Sequence, residues 1–158
     1  MKAIVLTSTL CAAGLALALS CDAAAAAPIA TTDGEVSGLT VEVAELKRST
    51  AGVLTLKFAM VNNTGEALAL SSTYAAETGN IDSGTVSGVH LLDVANKKKY
   101  LVVRDSDQKC VCSQVSNEIP NGGRAFLWAK FPAPPADVKS IGVVIPHFIP
   151  MDDVPITQ

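Results

Sequence analysis

The sequence predicts an all-β, antiparallel, immunoglobulin-like sandwich of about seven strands. Three observations predict it. Short runs alternate apolar and polar residues with a period of two, turn-forming Asn, Gly and Pro clusters separate those runs, and no long stretch carries a helical stripe.

Leu39, Val41 and Val43 alternate with Thr40 and Glu42 in a first strand. Leu54, Leu56, Phe58 and Met60 alternate with Thr55, Lys57 and Ala59 in the second, where Met60 reads as a core filler. Asn62-Asn63-Thr64-Gly65 ends that strand, because Asn and Gly tolerate the positive φ of a tight reversal. Leu68 and Leu70 make a short third strand, and the Gly, Ser, Thr and Asn of residues 74–88 read as a long loop. Residues 89–94 and 100–104 form a hairpin around 95–99, which puts Lys97-Lys98-Lys99 in a solvated turn. Asn121-Gly122-Gly123 turns the chain into a sixth strand at 124–131, where Phe126 and Trp128 share one face. Pro132-Ala133-Pro134-Pro135 stops that strand, since proline cannot donate to a ladder. Ile141, Val143 and Ile145 alternate in the seventh, and Pro146, Pro150 and Pro155 confine the tail to a sheet edge or to extended packing over the surface. The expected core joins Leu56, Phe58, Trp128, Val143 and Ile145, with Trp128 as its aromatic centre.

Ahead of this body, residues 1–27 read as a signal peptide and processing region. Lys2 supplies the positive charge, and residues 3–19 run uncharged as an apolar stretch that is short for a membrane span. Two processing routes fit. Leu17-Ala18-Leu19-Ser20-Cys21 resembles a lipobox, which makes Cys21 the lipidation site, although Ala18 stands where that family usually has leucine. The alanine run 23–27 instead offers ordinary signal-peptidase sites. The chain is thus expected to be exported, either as a membrane-anchored lipoprotein or as a periplasmic or secreted protein. Residues 28–35 read as a tether and 36–158 as the sandwich.

The full chain of 158 residues carries a formal net charge of −3. Removing 1–27 takes away one base, Lys2, and one acid, Asp22, so the balance is unchanged. A mildly acidic domain lacks the basic face that nucleic acid requires. Contact with a membrane is expected only through an N-terminal lipid.

The one constellation with possible chemistry is Cys110-Val111-Cys112. With Cys11 in the leader and Cys21 acylated or removed, these two thiols remain to pair, and an oxidising compartment favours a disulfide. In an extended strand, positions i and i+2 lie about 6.6 Å apart, whereas a disulfide needs Cβ atoms within about 4.5 Å. The ring therefore requires a bend, which the turn-like stretch 105–109 can supply. A soft-metal site of Cys110 and Cys112, joined by His147 and by Met151 four residues later, is a second reading. A redox-active pair is a third, with Lys109 as the only nearby cation to activate a thiolate. His90 reads as exposed, opposite the apolar face of its strand. Asp152-Asp153 supplies too few oxygens for calcium. No cofactor motif and no nucleophile–base order is present, so the domain is not expected to be an enzyme.

The strand Leu39-Thr40-Val41-Glu42-Val43 and the strand end Val61-Asn62-Asn63-Thr64-Gly65, behind an export leader, resemble secreted bacterial immunoglobulin-like domains such as the mycobacterial secreted immunogenic sandwich and its lipoprotein relatives. In the C-terminal half the quoted resemblance rests on Lys99-Tyr100, Arg104-Asp105-Ser106, Cys110-Val111-Cys112-Ser113, Leu127-Trp128, Phe131 and Pro146-His147-Phe148-Ile149-Pro150. That half resembles an uncharacterised envelope segment, sometimes found beside peptidoglycan-binding domains of the outer-membrane-protein-A type. The resemblance implies envelope context and a β-sandwich, and no activity; the leader, the tether and the lack of a catalytic constellation lead to the expectation of a non-enzymatic envelope module that presents its surface to a protein or to the cell wall. The alternative is a copper, zinc or thiol-redox protein built on the cysteine pair.

Overall fold

The computed structural model describes residues 27–70, 84–115 and 118–158. Residues 1–26, which include the expected leader and lipidation site Cys21, and most of the loop expected at 74–88 lie outside the described residues. Ten strands organise the rest: β1 (Ala30–Asp33), β2 (Leu39–Arg48), β3 (Val53–Asn62), β4 (Leu68–Ala69), β5 (His90–Asp93), β6 (Lys98–Leu101), β7 (Glu118–Ile119), β8 (Arg124–Pro132), β9 (Ser140–Val144) and β10 (Met151–Pro155). One sheet has the order β1-β2-β3-β8, a second the order β10-β9-β5-β6, and β4 pairs with β7 in a small ribbon. Every strand pair is antiparallel. An immunoglobulin order would carry the third strand into the opposite sheet; here β1, β2 and β3 stay neighbours.

The two larger sheets share one core. Leu39, Val41, Val43, Leu54, Leu56, Phe58 and Met60 enter it from β2 and β3, and Leu91, Ile141, Val143, Met151 and Val154 enter it from the other sheet. Period-two alternation accounts for this directly, because successive side chains leave a strand on opposite faces. A bulge between Val43 and Glu45 shifts the parity of β2, so that Leu46 rejoins the core behind Val43. At the far end of the β2–β3 pair, Gly38 has φ +88°, and a Cβ there would stand 2.5 Å from the carbonyl oxygen of Asn63. Only glycine fits that crossing, and the Asn63 N–H donates to the Gly38 carbonyl at 2.7 Å.

Two features of the backbone differ from the sequence expectation. Ala30–Asp33, inside the expected tether, forms β1 with a register running from Ala30↔Val43 to Asp33↔Thr40. The segment is short and polar at its last three positions in a row, so it carries no period-two pattern to show its strand character. The hairpin after β5 is tighter than expected. Asp93 accepts from the Asn96 backbone and side-chain amides at 3.0 and 2.8 Å, Lys97 takes φ 54°, and Lys98 and Lys99 thereby fall in β6. The tail, by contrast, takes one of its two expected places: β10 lies at the edge of its sheet, with Pro155 at its last position.

Trp128 requires a correction. It is 38% exposed and stands outside the core, and Phe126 is 78% exposed. In β8 the inward residues are Leu127, Ala129 and Phe131, so Arg124, Phe126, Trp128 and Lys130 share the outward face. Leu56, Phe58, Val143 and Ile145 are buried in the common core as expected.

Candidate functional site

The outward faces of β2, β3 and β8 form an open groove of about 410 Å³. Its floor comprises Ala44, Ala59 and the rings of Phe126 and Trp128, with Pro28 at one margin. Strand register fixes this composition: Phe126 lies opposite Ala59 and Trp128 opposite Lys57. The small side chain at 59 leaves the aromatic rings proud of the sheet. Charged residues complete the lining, each of them paired. The Arg124 guanidinium donates through both terminal nitrogens to the two oxygens of Glu42, the longer bond being 3.1 Å. Lys57 Nζ lies 3.2 Å from Glu45 Oε1 at the rim. Such surface pairs add little stability, but each charged residue of the lining has an opposite partner, Lys57 finding its own in Glu45 just outside.

The cysteine pair lies beside β8, where Cys112 bridges to Ala129. Cys110 and Cys112 are joined in a disulfide, with Cα atoms 5.4 Å apart, closer than in extended strand, and residue 111 lies in a bend. Asp105 Oδ1 accepts from the N–H groups of Asp107 and Lys109, both at 2.9 Å, and Gln108 takes φ 63°, closing a turn that folds 110–112 back onto 103–104. The returning segment then pairs with the otherwise open edge of β8. The Lys130 N–H donates to the Val111 carbonyl (3.1 Å) and the Ser113 N–H to the Trp128 carbonyl (2.8 Å), while Ser113 Oγ accepts from the Trp128 N–H (2.9 Å). The disulfide hairpin therefore anchors the backbone that carries Trp128.

The structure does not bring the expected ligand set together. The sulfurs of Cys110 and Cys112 bond to each other and so offer no thiolate to a metal. His147 belongs to the opposite edge of the first sheet, where its Nδ1 stands 3.1 Å from Glu35 Oε2. Met151 packs into the core opposite Val143. Among the described residues no group of three or more His, Cys, Asp or Glu side chains could hold a metal ion. His90 is half-buried rather than exposed, with Nδ1 3.2 Å from the Gly88 carbonyl. Nor is any helix among the described residues long and apolar enough to cross a membrane.

Sequence reasoning paired Phe126 with Trp128 correctly but turned both inward. The signal that points outward lies in the same run. Arg124 and Lys130 have the parity of Phe126 and Trp128, and a strand that buried those rings would have buried two cations with them.

Compared with known proteins, the chain matches no family model, no curated protein and no solved structure. The resemblance to exported envelope sandwiches therefore rests on its sequence motifs.

Proposed function

We propose that this chain is an exported, non-catalytic envelope module, whose first sheet presents its outer face to a protein or cell-wall component. Phe126 and Trp128 carry this reading. The chain has only five Phe and Trp residues, and two of them stand side by side on the surface while Phe58, Phe131 and Phe148 are buried. Exposed apolar clusters rimmed by polar groups mark interaction surfaces, and aromatic residues with arginine dominate such surfaces. The leader-like residues 1–27 support the exported location.

Pelleting with washed cell-envelope fragments tests the proposal. Wild-type protein is expected to co-sediment, and the double variant Phe126→Ser/Trp128→Ser to stay in the supernatant with an unchanged melting temperature. Equal sedimentation of the two proteins would refute a role for this face.

A further inference from the structure

We infer that the occupant of the Phe126–Trp128 groove is an uncharged glycan strand, its sugar rings stacked on the two aromatic faces. The inference rests on the binding role proposed above and names the chemistry of the partner.

Charge is the first ground. Glu42 and Arg124 neutralise each other in the groove wall, and Lys57 is paired with Glu45 at its rim. The three charged residues lining the groove, Glu42, Lys57 and Arg124, are thus each paired, so a charged partner would have to break an existing pair, and Lys130, on the same face, lies outside the lining. A neutral, hydroxyl-rich partner instead finds carboxylate acceptors and guanidinium and ammonium donors already held in place.

Shape is the second ground. Phe126 and Trp128 are two residues apart on one strand face, hence about 6.7 Å apart along β8. That file of rings suits a linear ligand with a repeating flat unit. A pyranose ring has such a face: its axial C–H groups are apolar and weakly positive, which matches the negative face of an aromatic ring. Its equatorial hydroxyls point sideways, toward the paired charges.

The third ground sets the glycan above a peptide. Extended peptides gain affinity by adding a strand to an open edge. Here β3 is flanked on both sides and the far edge of β8 is covered by residues 111–113, so the groove offers no ladder. Protein hot spots also sit in enclosed, fully desolvated pockets, whereas Phe126 stands 78% exposed on an open sheet.

Trp128 is the only tryptophan of the chain, so its fluorescence reports on this site alone. The experiment titrates the full-length protein with a soluble, neutral tetramer of β-linked N-acetylglucosamine. Parallel titrations use a proline-rich peptide and a sulfated oligosaccharide. The expected result is a saturable shift in Trp128 emission with the neutral tetramer. Its affinity should change less than twofold between low and high salt, since no charge is neutralised. Phe126→Ser should weaken binding at least about tenfold, the order expected for loss of one stacked ring, while Leu101→Ser, an exposed apolar site on the other sheet, should bind as wild type. Melting curves of both variants show that the fold is retained.

Silence with the tetramer up to millimolar concentration would overturn the inference. So would tighter binding of the peptide or the sulfated sugar, or a concentration-dependent dimer abolished by Phe126→Ser. Failure here with face-dependent pelleting intact would leave the envelope role standing and remove only the glycan. Failure of both would remove the binding face itself.

Discussion

At the scale of single residues, the proposed function rests on the difference between Phe58, buried, and Trp128, 38% exposed. Phe58 is enclosed by both sheets, and Phe58→Ala should cost about 3–5 kcal/mol through lost burial and the cavity left behind. Phe126→Ser/Trp128→Ser should stay within about 1 kcal/mol of wild type in urea unfolding, because both rings face solvent. Asn62 is the polar counterpart of Phe58. Fully buried, its side-chain amide donates to the carbonyls of Glu66 and Ile119, both at 2.8 Å, and its Oδ1 accepts from the N–H and hydroxyl of Thr64. Asn62→Ala orphans several of these groups and should lose more than about 2 kcal/mol. The sequence marked Asn62 as a turn residue, and period-two patterning has no way to show that its amide ties that turn to β7. Tyr100 adds a pH signature. Burial raises its phenol above the ordinary value of 10.0 and nearby Asp93 adds to the rise, partly offset by Arg48. The neutral phenol is the form the fold favours. Its contribution is therefore complete below pH 10 and is lost as pH climbs through the raised value. Thermal melts between pH 9 and 11.5 should show a steeper alkaline loss for wild type than for Tyr100→Phe.

Among the elements, most strands were legible in the sequence, and the short β1 and β7 were not. Strands β2, β3 and β8 each carry several apolar residues at strict alternation, and a bulge in β2 displaces only part of that pattern. The elements β1 and β7 are four and two residues long and form by pairing with β2 and β4. Patterning cannot see such partners. The disulfide hairpin lies between these cases. The sequence implied a bend at 110–112, but not that the bend would brace β8 beside Trp128. A ring this small removes little loop entropy, so Cys110→Ser/Cys112→Ser should fold and lose well under the roughly 3 kcal/mol of a 15-residue loop. Its effect should appear locally, as faster hydrogen exchange at the amides of Ser113 and Lys130 in the double variant. Arg48 does comparable work for the proline-rich turn after β8: its guanidinium donates to the carbonyls of Pro134, Pro135 and Val138. Nothing in the local sequence of β2 announces that role.

On the scale of the whole molecule, two sheets close over one core, and the C-terminal residues lace them together. The Ile156 N–H donates to the Lys139 carbonyl, while Thr157 exchanges backbone hydrogen bonds with Leu46 and Arg48 of β2 at 2.9 and 2.8 Å. The fold class could be read from alternation and turns because those signals repeat along the whole chain. Which face of β8 meets the core could not be read from the size of its aromatic rings; the cations of the same parity were the better guide. On that orientation rests everything proposed about function, since turning β8 over would bury Trp128 and remove the groove. Acrylamide quenching of the single tryptophan in the folded, full-length protein tests it most directly. The orientation described here predicts substantial quenching and an emission maximum that moves only modestly on unfolding. Blue-shifted emission with negligible quenching until the protein unfolds would place Trp128 in the core and contradict it.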